Sequence, residues 1–209
     1  MVSGYFGLPG CGKTTFLTMI AQKELKKIRA GKSSYDRVFC NFYCEGCYKL
    51  EFHQLGSYLI ENSLILIDEI TLFADSRDFK TFDKKIKQFF LLHRHYGCDI
   101  IYFTQHYNNV DKKIRDITFN LYFVTSGRFL PISKARQIFR TLDINEQTHE
   151  IVHGYRFANI WDILFGKVTR RCWRPRWYKY FDSFEADRTL KELPLTEWSS
   201  SSEDTTVSV

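Results

Sequence analysis

Residues 7–15 read Gly7-Leu8-Pro9-Gly10-Cys11-Gly12-Lys13-Thr14-Thr15, a spacing that satisfies the phosphate-binding pattern G-x-x-x-x-G-K-[ST]. Glycine at positions 7, 10 and 12 lets the backbone bend around an anion, so that successive amide N–H groups point at a β-phosphate. Lys13 adds a point charge for the β- and γ-phosphates, and the Thr14 hydroxyl is placed to ligate Mg²⁺. Gly7 through Thr15 is therefore the expected nucleotide-binding run, with Lys13 also a catalytic cation. Leu64-Ile65-Leu66-Ile67 is an unbroken apolar run that ends in a pair of acids, Asp68-Glu69. Asp68 reads as the second Mg²⁺ partner, and Glu69 as the base that orients and activates an attacking water. ATP and Mg²⁺ are the cofactors this chemistry calls for.

These residues need particular elements beneath them. Val2–Phe6 is short, apolar and aromatic, as a buried first strand should be, and Phe16, Ile20 and Leu25 recur at near-helical spacing after the loop. A continuous apolar run at 64–67 suits a parallel strand covered on both faces, and acids at its C-terminal end lie where ligands bind in open α/β sheets. Further strands are expected at 35–43, 99–103 and 119–124. Phe82, Ile86, Phe89, Phe90 and His93 predict an amphipathic helix over about 78–96, stopped at Gly97. Strands alternating with helices imply a three-layer α/β/α P-loop NTPase with a mainly parallel central sheet. Residues 1–127 form the expected core and 128–198 a small basic, aromatic C-terminal extension. Residues 199–209, rich in Ser, Thr and acids, have nothing to bury and are expected to be disordered.

Length and charge limit the alternatives. A chain of 209 residues allows one α/β domain with a modest appendage, and its formal charge of +6 is unevenly spread. No apolar run approaches the roughly 18 residues of a membrane span, and no signal peptide precedes the first strand, so a soluble, cytoplasmic protein is expected. The six cysteines do not form a disulfide framework. Cys40, Cys44 and Cys47 cluster with His53 nearby, which reads either as a zinc site with three thiolates and one imidazole or as reduced structural thiols.

The strand at 99–103 ends in Thr104-Gln105-His106. Gln105 is a candidate for sensing the γ-phosphate or orienting water, or else a helix cap. Arg94 and Arg115 are candidate arginine fingers for a neighbouring subunit's nucleotide, or solvated surface arginines.

The N-terminal phosphate loop, Leu-Ile-Leu-Ile-Asp-Glu, the run Leu92-His93-Arg94-His95-Tyr96-Gly97-Cys98-Asp99 and the strand ending Thr104-Gln105 together resemble the zonular occludens toxin (Zot) family. That family includes the assembly ATPases of filamentous phages and falls in the FtsK/HerA-like class of DNA-pumping motors. Tyr178-Lys179-Tyr180-Phe181-Asp182-Ser183 looks like the aromatic "Tyr-x-Ser" ending of its ATPase domain. The resemblance spans about residues 1–185, with 128–170 unmatched in detail. It implies an oligomeric ATPase that drives extrusion and assembly of a single-stranded DNA phage from the host cytoplasm, peripheral to the inner membrane. Typical members continue into a transmembrane helix and a periplasmic domain. Without these, a separate phage or host membrane protein is expected to supply the anchor, or the chain is a related soluble packaging ATPase.

From Ile163 to Phe181 there are no acids, while Lys167, Arg170, Arg171, Arg174, Arg176 and Lys179 interleave with Trp173, Trp177, Tyr178 and Tyr180. Cations with flat rings suit a single-stranded nucleic-acid groove over 167–180. They also suit an anionic membrane surface, or a basic strand pair whose aromatics pack on the core. A DNA motor, a nucleotide-gated adaptor with little turnover, and a small-molecule kinase all remain open at this level; the adjacent Asp-Glu pair speaks for the first.

Overall fold

The computed structural model describes residues 1–72, 84–144, 151–159, 161–162 and 168–181. Strand β1 (Val2–Phe6) leads through the phosphate loop into helix α1 (Lys13–Arg29). Then follow β2 (Arg37–Cys40), the two-residue β3 (Tyr48–Lys49) and β4 (Ser63–Ile67). Helix α2 (Lys84–Leu92), β5 (Asp99–Thr104), α3 (Lys112–Ile117) and β6 (Asn120–Ser126) complete the parallel part. β7 (Ile132–Ile144), β8 (Ile151–Phe157) and β9 (Thr169–Trp173) follow.

All nine strands described form one sheet in the order β3-β2-β4-β5-β1-β6-β7-β8, with β9 also paired to β7. From β3 to β6 every pairing is parallel, and β7 turns back antiparallel to β6. The long β7 carries two partners on its outer edge, β9 along residues 132–136 and β8 along 138–144. The described residues after 127 thus extend the core sheet.

The run at 64–67 behaves as a strand covered on both faces. Ile65 and Ile67 enter one apolar cluster with Ile100, Tyr102, Phe89, Phe90 and Ile114, under α2 and α3. Leu64 and Leu66 enter the other with Tyr5, Phe103, Phe16, Leu17 and Leu25, under α1. Fully burying each such side chain contributes about 1.5–3 kcal/mol, and period-two alternation sends that stabilisation to both faces in turn. On the α1 side Tyr5 is stacked between its lateral neighbours, 4.7 Å from Phe103 and 4.5 Å from Tyr122 between ring centroids.

Two expected boundaries move. The strand expected at 35–43 is confined to Arg37–Cys40, because the Asn41 side chain replaces backbone pairing to the chain beside it. The helix expected over 78–96 is seen as Lys84–Leu92, with His93–Gly97 in a turn; Phe82 and the rest of 73–83 lie outside the described residues. The expected disordered tail at 199–209 lies outside them as well.

Gly4 shows why a strand interior here tolerates glycine. Its register partner on β5 is Tyr102, whose ring leans across it, so a Cβ on Gly4 would lie 2.6 Å from the Tyr102 hydroxyl oxygen. That hydroxyl is buried and hydrogen-bonded to Thr118 Oγ1 at 2.8 Å. Gly4→Ala is therefore expected to overpack the sheet and lower unfolding free energy by about 1–3 kcal/mol, measured by chemical denaturation; an unchanged midpoint would show that the ring swings clear without cost.

Candidate functional site: a phosphate loop facing two acids

Parallel register brings the chemistry to one end of the sheet. Gly7 leaves β1 beside the end of β5, its N–H donating to Thr104 O at 3.2 Å. A Cβ on Gly7 would lie 2.4 Å from Val124 O, so only glycine passes between these strands. Gly10 and Gly12 have φ of +76° and +82°, left-handed values that favour glycine. Helix α1 starts at Lys13 with no side-chain cap and no acid in its first turn, which leaves its positive end free for an anion. Lys13 Nζ donates to the carbonyls of Gly7 and Leu8 at 3.2 and 3.4 Å, at the rim of the loop.

Asp68 and Glu69 follow β4 directly. The Thr14 hydroxyl donates to Asp68 Oδ2 at 2.5 Å. Burial pushes the Asp68 carboxyl up from its ordinary range, opposed by the Thr14 hydrogen bond and the Lys13 ammonium. Two hard oxygen donors in contact, one a carboxylate, beside a candidate anion-binding loop fit a divalent cation such as Mg²⁺. Glu69 sits at φ +50°, a backbone region uncommon for a non-glycine residue. Its Oε1 accepts from the Thr71 hydroxyl and, at 3.2 Å, from Thr104 Oγ1 at the end of β5.

Asn41, Thr104 and Arg174 escaped the sequence reading. Asn41 brackets the Asp68 backbone, with Nδ2 donating to Asp68 O at 2.8 Å and Oδ1 accepting from Asp68 N–H at 2.7 Å. Thr104 is fully buried and tethers Glu69, whereas its neighbour Gln105 is exposed. Gln105 lines a cavity of about 650 Å³ together with Gly7, Leu8 and Tyr107. Arg174, grouped above with the other basic residues, reaches the phosphate loop. A strand-end position beside the acids was the only available signal for Asn41 and Thr104; nothing local marked Arg174.

Arg94 is not brought to this site. It is exposed in the turn just before β5, at the opposite end of the sheet from the loop. Arg115 lies in α3 with its guanidinium over the Tyr107 ring, 5.9 Å from the centroid.

The cysteine cluster also differs from the Cys₃His arrangement. Cys40, Cys44 and Cys47 lie together, and their mutual influence holds the Cys44 thiol below its ordinary range and pushes Cys40 and Cys47 up; Cys40 Sγ donates to Phe42 O at 3.1 Å. Gln22 Nε2 donates to Cys44 Sγ at 3.7 Å. His53 is absent from this group: it is exposed, with Nδ1 3.6 Å from Glu51. Among the described residues no group of three or more His, Cys, Asp or Glu side chains could hold a metal ion.

The basic segment is docked rather than free along much of its length. Arg170 turns inward, donating to the Tyr5 hydroxyl at 2.8 Å and lying 5.0 Å from the Tyr122 ring centroid. Cys172 is buried, and Trp177 packs against the apolar cluster under α1. Tyr180 O accepts from Glu45 N–H at 3.0 Å. Arg171, Trp173, Arg176, Tyr178 and Lys179 remain exposed. Among the described residues no helix is long and apolar enough to cross a membrane.

The family model described as zonular occludens toxin (Zot) matches residues 45–128, a stretch holding Asp68, Glu69 and Thr104 but not the phosphate loop. The N-terminal domain of zonular occludens toxin from Neisseria meningitidis is 16% identical and has a TM-score of 0.56, with 87% of this chain and 98% of that one covered. The genome packaging NTPase B204 from Sulfolobus turreted icosahedral virus 2, in complex with ATP-gammaS, is 14% identical over 61% of this chain and 75% of that one, with a TM-score of 0.44. No curated protein matches the chain. The first likeness shows the fold, an α/β domain around a mainly parallel sheet, and the family match supports the resemblance to Zot drawn from the motifs.

The bracket around Asp68 gives a test. Asn41→Ala removes both hydrogen bonds and leaves the Asp68 backbone groups unpaired. It is expected to lower unfolding free energy by about 1–3 kcal/mol and to weaken Mg²⁺-dependent nucleotide binding, read by denaturation and by titration with and without Mg²⁺. Unchanged stability together with unchanged binding would show that the bracket does not position Asp68.

Proposed function

We propose that the chain binds Mg²⁺–ATP at residues 7–15 and hydrolyses it, as the multimeric motor of a phage or viral assembly step that moves DNA. The observation that carries the proposal is the meeting of Thr14 and Asp68 at 2.5 Å, with Glu69 next in the chain and tethered to Thr104. This assembles a phosphate cradle, two candidate cation ligands and a candidate base at one sheet end. Bound Mg²⁺ would neutralise charge on the phosphates, held by Thr14 and Asp68. The loop amides and Lys13 bind and orient the phosphate chain. Thr71 and Thr104 hold the Glu69 carboxylate in place, from where it takes a proton from the attacking water. A nucleotide-gated adaptor has little use for a base so tethered.

The DNA part of the proposal draws on the Zot resemblance and on the exposed Arg171, Trp173, Arg176, Tyr178 and Lys179. Cations and rings together suit single-stranded nucleic acid. Gln105 is proposed to face the γ-phosphate from the cavity beside Gly7, and Arg94 to act on a neighbouring subunit's nucleotide. A homo-oligomer in the host cytoplasm, held at the inner membrane by a partner protein, is the setting the resemblance suggests.

An ATPase assay of wild type, Lys13→Ala and Glu69→Gln tests this, run with and without single-stranded DNA at several protein concentrations. Wild type is expected to turn over slowly and to speed up with DNA or concentration. Lys13→Ala is expected to lose nucleotide binding. Glu69→Gln is expected to bind ATP but turn it over about 10²–10⁴-fold more slowly. Hydrolysis indifferent to both DNA and concentration would remove the motor, and a phosphorylated small-molecule product would put a kinase in its place.

A further inference from the structure

Arg174 arrives at the phosphate loop from 164 residues away. β9 hands the chain to a 3-10 turn at Arg174–Arg176, and the Arg174 N–H donates to Pro131 O at 2.9 Å, anchoring the turn to the β6–β7 connection. The side chain then crosses the loop. A Cβ on Gly12 would lie 2.7 Å from Arg174 Cδ and 2.6 Å from Ser133 Oγ, so the stem rests directly on the Gly12 backbone. Ser133 Oγ donates to Cys11 O at 2.6 Å and braces the same stretch of loop. The guanidinium ends at the lip, where Nη1 donates to Gly10 O at 3.4 Å.

That contact leaves the group under-used. A guanidinium stays charged and carries five N–H donors, and the distance to Gly10 O is at the long end for a hydrogen bond. The Nε atom is buried without a hydrogen-bond partner. A buried donor left unpaired costs about 1–3 kcal/mol and is rare enough in folded proteins to need a reason. No ion pair among the described residues neutralises Arg174. Its neighbour Arg170 differs, being satisfied by the Tyr5 hydroxyl and the Tyr122 ring. Arg174 is thus a cation with spare donors, fixed by its stem to a loop built for phosphate. Lys13 meets that loop elsewhere on its rim, at Gly7 and Leu8.

We propose that Arg174 is a ligand of the bound nucleotide, contacting its phosphate chain in cis from the outer side of the loop. The proposal rests on the nucleotide reading of residues 7–15. It gives the acid-free C-terminal segment a second role, because one of its cations serves the nucleotide in the same chain. Planar, bidentate recognition of phosphate oxygens is what arginine does better than lysine.

The test is calorimetric titration of ADP and ATP, with Mg²⁺, into wild type, Arg174→Met, Arg174→Lys and Lys13→Ala. Methionine keeps an apolar stem over Gly12 and removes the charge. Arg174→Met is expected to weaken both nucleotides tenfold or more, the loss expected for a hydrogen bond to a charged group. Arg174→Lys is expected to recover part of that loss, and the wild-type affinity to fall more steeply with KCl concentration than that of Arg174→Met. A purely structural stem would give neither the lysine recovery nor the salt difference, so equal salt slopes overturn the proposal. Wild-type affinity in Arg174→Met also overturns it, and if binding of a single-stranded oligonucleotide falls instead, the guanidinium belongs to nucleic acid. Wild type that binds neither nucleotide would sink the underlying reading. Binding lost only in Lys13→Ala would sink the Arg174 assignment alone.

Discussion

The hydrogen bond from Thr14 to Asp68 is the contact on which the site depends. It joins the first turn of α1 to the end of β4, although β5 lies between β4 and β1 in the sheet. Only one register permits it. With Phe6 opposite Thr104, β1 and β5 end level; with Ile67 opposite Tyr102, β4 ends two residues short, so that Glu69 comes level with Thr104, its hydrogen-bond partner. A one-residue slip of β4 would exchange Leu64 and Leu66 for Ile65 and Ile67 between the two apolar clusters. Core packing and site geometry therefore enforce the same register.

The antiparallel end of the sheet serves that contact indirectly. β7 begins at Ile132, immediately before Ser133 braces Cys11 O, and β9 delivers Arg174 to Gly12. Cys172 and Trp177 hold the segment against the α1 face, and Tyr180 ties it to Glu45 beyond β2. A stretch that looks like a solvent-facing basic strip is thus partly a strap around α1. The mixture of Arg, Lys, Trp and Tyr reflects both demands: rings that pack inward, and cations divided between internal partners and solvent.

How much of this was legible follows from the range of each interaction. The phosphate loop is a local pattern, since its glycines, lysine and threonine act within one turn of chain, and residues 7–15 fold as their spacing dictates. The apolar run 64–67 was legible because burial on both faces erases alternation, and its end places Asp68 and Glu69. Asn41, Thr104 and Arg174 gain their roles only from contacts spanning 27, 35 and 164 residues. No window of sequence contains both partners of such a contact. The cysteines show the converse: Cys40, Cys44 and Cys47 do converge, but His53, near in sequence, has its ring beside Glu51 in solvent.

One of the runs that resembles Zot, His93 to Asp99, lies at the end of the sheet away from the loop. There it shapes the chain between α2 and β5. Cys98 N–H donates to His93 O at 2.9 Å, Gly97 takes φ +64°, and the Cys98 thiol donates to Ile60 O at 3.3 Å. His93 is buried with Nδ1 2.7 Å from Phe90 O, which ties the ring into the turn, while Nε2 is buried without a hydrogen-bond partner. This motif therefore sets where β5 starts, and so where Thr104 ends it beside Glu69. Its link to the candidate site runs through the length and register of one strand. Resemblance in such a segment speaks for a shared scaffold, while the phosphate loop and the Asp68-Glu69 pair speak for the chemistry. The two lie at opposite ends of the same central strand, β5.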